Sequence, residues 1–135
     1  MALQYSTTVR NAELDALETA VGTSPILKIR SGSAPANCAT ADSGTVLATM
    51  TLPSDWLAAA SSGSKAKSGT WQDTSADAAG TAGHFRIYDS TGTTCHLQGT
   101  VTATGGGGDL TLDNTSIAAG QSITINTFTI TAANA

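Results

Sequence analysis

The chain has 135 residues, enough for one domain that buries its own core without metals or cross-links. Only 12% of the residues are charged and 4% aromatic, while 40% are hydrophobic, so the surface must be built mainly from Ser, Thr, Gly and Ala rather than the charge-rich exterior of an ordinary cytosolic enzyme. The formal net charge of −4 offers no basic field for phosphates, which argues against nucleic acid as a partner, and no apolar run is long enough to span a bilayer, which argues against a membrane.

The opening MALQYSTTVR lacks the basic start and apolar run of a signal peptide, so the chain is read as made in a cytosol. From Thr7 to Val21 the sequence TTVRNAELDALETAV places Leu14, Leu17 and Val21 at helical spacing, after Ser and Thr candidates for the N-cap and before Gly22 as a stop. One short amphipathic helix is predicted, lying either across the end of its own sheet or on a neighbouring subunit. Residues 1–24 are therefore an N-terminal arm and helix, and 25–135 a single β domain.

From Pro25 the period changes to two. In PILKIR, Leu27 and Ile29 oppose Lys28 and Arg30; in TVLATMTL, Val46, Ala48, Met50 and Leu52 alternate with threonines. Pro53, Ser54 and Asp55 then start a one-turn helix reaching Ala60, followed by an exposed Ser/Gly/Ala loop. Trp56 and Trp71 lie in this segment, and large aromatics in a chain so poor in them pin it to the sheet or to a partner. Alternation resumes at HFRIYD, with Phe85 and Ile87 opposing His84, Arg86 and Tyr88, and continues through HLQGTVT, DLTLDN and QSITINTFTIT. In the last run Ile123 and Ile125 share one parity and Phe128 and Ile130 the other. The slip at Asn126 and Thr127 marks a bulge or a strand passing from one sheet to another. Short β-branched strands with no helices between them predict an all-β fold, an antiparallel β-sandwich of jelly-roll type.

Chemistry is poorly represented. The run GGGGD before LTL lacks the Lys and Ser/Thr of a phosphate loop and precedes a strand, so it reads as a turn. Cys95 and His96 are adjacent in a strand and point to opposite faces, which weakens both a nucleophilic pair and a zinc site with Cys38 and His84. Glu13, Asp15 and Glu18 fit a solvated helix face. Asp73 with Asp77, or Asp109 with Asp113, are the candidates for calcium, although capping of loops explains them as well. No catalytic residue, cofactor or metal is implied, and the chain is not read as an enzyme. Cys38 and Cys95 match one disulfide in number; a reducing compartment of synthesis favours thiols, and oxidising surroundings after release would permit the bond.

The segments ALQYSTTVRNAELDALETAVG, SGTWQDTSADAAGTAGHFRIYD and CHLQGTVTATGGGGDLTLDN resemble a family of small, mostly uncharacterised virion structural proteins of tailed bacteriophages and proteobacterial prophages. The resemblance extends over nearly the whole chain and implies a virion component made in the host cytoplasm, without assigning a place in the particle. A capsid decoration or cement protein bridging neighbouring subunits, such as copies of the major capsid protein, is the expectation; a tail, collar or fibre-associated protein is the alternative. A carbohydrate-binding module is a further alternative, with Trp56, Trp71 or Tyr88 stacking on sugars and Gln72 and Asp73 as polar partners. The expected contacts to partners, or to further copies in a homo-oligomer, are Leu3, Tyr5, Val9 and Arg10, with Trp56 and Trp71 as anchors.

Overall fold

The computed structural model describes residues 3–132, which form one helix and ten short strands. Helix α1 covers Thr7–Val21, as the apolar spacing predicts, and Ser6 caps it by accepting a hydrogen bond from the Val9 amide at 3.2 Å. The strands are β1 (Ile26–Ser31), β2 (Val46–Thr51), β3 (Ser64–Ala66), β4 (Trp71–Asp73), β5 (Gly80–Tyr88), β6 (Cys95–Ala103), β7 (Leu110–Leu112), β8 (Ser116–Ile117), β9 (Ile123–Ile125) and β10 (Thr129–Thr131). The fold is mostly β with one short helix.

The main sheet has the order β2-β1-β5-β6-β7, with β8 pairing the start of β5, and two ribbons, β3 with β10 and β4 with β9, stand beside it. The phase slip in the final run marks where the chain leaves one ribbon for the other: β9 pairs β4 and β10 pairs β3. Ile123 and Ile125 are buried on the first ribbon and Phe128 just before the second, so both parities serve one core. That core joins Leu27, Ile29, Met50, Phe85, Ile87 and Val101 of the main sheet to Trp56, Trp71 and the final strands.

Two expectations about local structure are corrected. Residues 54–60 form no helix. Trp56 and Leu57 are consecutive and both buried, which an extended chain achieves by sending them to opposite sides, and this segment pairs with residues 64–68 through Ala58 N to Ala66 O and Ser68 N to Trp56 O. Ser62 and Gly63 make the turn with φ of 53° and 75°, the left-handed pair that a two-residue hairpin requires. The sheet is also not wholly antiparallel, since β6 and β7 run parallel with Val101 opposite Leu110.

The glycine run explains how so short a connection joins a parallel pair, which ordinarily needs a dozen residues or more. Gly105 and Gly107 take φ of 88° and 81°, and a Cβ on Gly106 or Gly108 would stand 2.8 Å from the Thr102 side chain. The chain thus folds back against β6 before starting β7. Asp109 fixes the return by accepting from the Thr100 amide and hydroxyl at 2.9 and 3.1 Å. The turn reading of GGGGD therefore describes what the glycines do in this fold.

Helix α1 docks on the β3–β10 ribbon. Lys65, almost wholly buried, reaches Asp15 and Glu18 at 2.8 Å each, Gly63 N donates to Asn11 Oδ1 at 2.9 Å, and Trp56 Nε1 donates to Gly22 O at 3.0 Å. Burial works against the Lys65 ammonium, but its hydrogen bonds to Asp15 and Glu18 outweigh that and raise its pKa. The carboxylates of the helix, expected to be only solvated, thus include two that hold it in place.

Candidate functional site

The exposed large apolar side chains among the described residues lie together at the start: Leu3 at 75% exposure, Tyr5 and Val9 at 45% each. They precede or open a helix whose inner stripe, Leu14, Leu17 and Val21, faces the core. A second stripe runs along the outer side, where Val9, Ala12, Ala16 and Ala20 recur at intervals of three and four and are all exposed. These side chains are small, so another surface can approach the helix closely there.

Arg10 does not belong to this surface. Its guanidinium turns inward and donates from Nε and Nη2 to Ala132 O at 3.3 and 3.0 Å, tying the helix to the chain beyond β10. Trp56 and Trp71 are likewise corrected from partner anchors to core residues, both at 0% exposure, with ring centroids 6.0 Å apart. Trp71 also stacks at a tilt on Phe128 at 5.4 Å, and its Nε1 donates to Ser68 O at 3.1 Å. Tyr88 is buried too, which removes the aromatic platform proposed for sugars. The two tryptophans fill the core, and Tyr88 is covered on the other face of the main sheet, where its hydroxyl donates to Asp42.

A second feature lies on the face of the main sheet opposite that core. Alternation suggests that Arg30, His84, Arg86 and Tyr88 meet solvent, yet all four are buried. Residues 32–44, the long connection from β1 to β2, cover them. His84 Nδ1 donates to Gly32 O at 2.8 Å, Gln98 Nε2 to Pro35 O at 2.7 Å, and Arg86 Nη2 to the carbonyls of Asn37, Cys38 and Thr40 at 3.3, 2.9 and 3.1 Å. Asp42 is the hub: Arg86 and Tyr88 donate to one carboxylate oxygen and Arg30 to the other at 3.0 Å.

The electrostatics follow from this arrangement. Burial disfavours the ionised Asp42, but hydrogen bonds from Tyr88 and Arg86 and the charges of both arginines outweigh it and lower its pKa. Tyr88 is pushed up to about 12, first by burial and then by its bond to that carboxylate. The signal missed in the sequence was the connection's length together with its single acid, Asp42, beside a strand face carrying two arginines.

Cys38 stands in this covering loop and Cys95 opens β6, opposite Tyr88 in the register. Both are thiols and half-buried, and both line one open cavity. Of the remaining candidates, Asp73 and Asp77 meet at Thr49 and are spent on it and its neighbours: Asp73 accepts from Thr49 N and Ser75 N at 2.9 Å each and Asp77 from the Thr49 hydroxyl at 2.7 Å, while His96 is exposed and His84 is buried. Among the described residues no three His, Cys, Asp or Glu side chains gather where they would hold a metal ion, and no helix is long and apolar enough to cross a membrane. No family model, curated protein or solved structure matches the chain.

Proposed function

We propose that this chain is a noncatalytic structural protein of bacteriophage virions, a capsid decoration or cement protein that bridges and stabilises neighbouring subunits. The observation that carries this reading is the concentration of exposed apolar side chains, Leu3, Tyr5 and Val9, at the head of a docked helix. The outer Ala stripe continues that surface, and the shortage of long charged side chains lowers the entropy lost when surfaces meet. We read the two ribbons packed on the apolar face of the main sheet as the second layer of a β-sandwich of jelly-roll type, the rigid body from which the surface is presented. The segments resembling phage virion proteins favour a particle as the place of assembly. The partners are then the major capsid protein and further copies of this chain, met after synthesis in the host cytoplasm. Each copy buries its apolar surface against two or more neighbours and so adds to the stability of a lattice already closed.

The test separates the surface from the fold. Leu3→Ser combined with Val9→Ser leaves the melting temperature within about 2 °C, because exposed positions contribute little to folding, and weakens attachment to particles by on the order of a hundredfold. Unchanged attachment would refute the surface. Quantitative mass spectrometry of purified particles is expected to give a lattice ratio of about one copy per major capsid subunit; about six to twenty-four copies per particle would instead indicate a ring in the tail, collar or fibres. Absence from the particles would overturn the virion reading.

A further inference from the structure

We propose that Cys38 and Cys95 form a reversible intramolecular disulfide that bolts the 32–44 loop to β6 across the polar face of the main sheet. The proposal is independent of the virion reading, since it rests on how the loop is held.

The two cysteines are far apart in sequence, and three features bring them together. Arg86 takes the Cys38 carbonyl at 2.9 Å along with those of Asn37 and Thr40, and so sets the backbone of the loop at this point. Asp42 binds Arg86, Tyr88 and Arg30 and anchors the loop's far side. Cys95 is placed by the β5–β6 register opposite Tyr88, on that same patch of sheet, and its thiol donates to Leu97 O at 3.3 Å. The result is two thiols that line one cavity, held there by the loop's bonds to Arg86 and by the β5–β6 register, so closing the bond requires only local adjustment of the chain.

Access is also provided. Both cysteines line an open cavity of about 590 Å³ with Asp42, Arg86, Thr93 and Thr94, large enough to admit a small disulfide reagent. In the reaction one cysteine, as thiolate, attacks a sulfur of a low-molecular-weight disulfide and expels one thiolate. The second cysteine, after losing its proton, attacks the resulting mixed disulfide and expels the other. Two S–H bonds of the protein are replaced by one S–S bond, and the two electrons and two protons end on two molecules of small thiol. The Cys95 thiol is pushed up to about 11 by burial and by the Cys38 side chain beside it, so the step in which Cys95 attacks is slow at neutral pH and quickens as pH rises. A reducing cytosol leaves the pair as thiols; oxidising surroundings close it.

The bond encloses a loop of about 57 residues, which in the chain-entropy account raises the melting temperature by on the order of 10 °C. The experiment is to equilibrate the purified full chain with oxidised glutathione at about pH 8.5 and follow thiols, connectivity and melting. The expected result is that thiols titrated after denaturation fall from two to none, non-reducing peptide mapping joins Cys38 to Cys95, the melting temperature rises, and dithiothreitol reverses all three. The closure rate rises between about pH 7 and 9. Cys38→Ser acquires no internal bond and shows no rise in melting temperature with the oxidant. Two persistent thiols, separate glutathione adducts on each cysteine, a bond between two chains, or an equal rise in Cys38→Ser would overturn the proposal.

Discussion

Replacing Trp71 by alanine is expected to remove about 3–5 kcal/mol of stability, the largest loss of any single substitution considered for this chain. The ring is wholly buried, lies between Trp56 and Phe128, and through Phe128 reaches Phe85 of the main sheet, whose ring is 5.7 Å from that of Phe128. It therefore links the β4–β9 ribbon to the sheet on which the core is built. Truncation leaves a void that the backbone around it closes only in part, because β4 is held at both neighbours, β9 by its ladder and β2 through Asp73 and Thr49 N. For a domain whose total stability is of order 5–15 kcal/mol, the melting temperature falls by roughly 10–20 °C. Trp71→Phe keeps most of the apolar volume and loses much less. Thermal and urea unfolding followed by circular dichroism measure both variants; a fall of no more than about 2 °C for Trp71→Ala would place the ring outside the core.

Asp42→Asn is expected to lose about 2–3 kcal/mol although the carboxylate itself is partly exposed, its side chain at 40%. The loss arises at its partners. Arg86 and Arg30 have side chains only 2% and 8% exposed, and without the carboxylate two guanidinium charges remain buried against carbonyl groups alone. The effect has a pH signature whose sign is determined. The Asp42 pKa is lower in the fold than its ordinary 3.8, so on acidification the unfolded chain binds this proton first. Its contribution is complete above about pH 4 and is lost as pH falls through the lower, folded value. The difference in stability between the parent and Asp42→Asn should therefore be constant between about pH 5 and 7 and shrink below about pH 4. Urea midpoints of the two proteins across that range test it, and a difference that stays constant into acid would show that the charge of Asp42 is not what holds the loop.

These two sites differ in how the chain announces them. Trp71 is visible as a scarce aromatic, but its sequence neighbours, Ser, Gly and Thr before it and Gln and Asp after it, resemble a surface loop, and only pairing of β4 with β9 buries it. Asp42 has no local signal, because its importance comes from residues 44 and 46 positions further on, which β5 delivers to the same place.

The sequence by itself determined the elements whose cause is local. Helix α1 follows from Ser6, the spacing of Leu14, Leu17 and Val21, and Gly22; the alternation of β1, β2, β5, β6 and β7 follows from period two; and the break between β9 and β10 follows from the change of parity at Asn126. Each is a relation between residues a few positions apart, where backbone geometry and side-chain direction are coupled directly. Tertiary structure alone decided that the face bearing Arg30, Arg86 and Tyr88 is roofed by a loop, that Arg10 turns inward to Ala132, that Cys38 and Cys95 line one cavity, and that β7 returns parallel to β6. A period-two pattern shows that two faces differ in polarity. It does not show whether the polar one meets water or a segment whose carbonyls and single carboxylate replace water, because both environments accept hydrogen bonds from the same side chains.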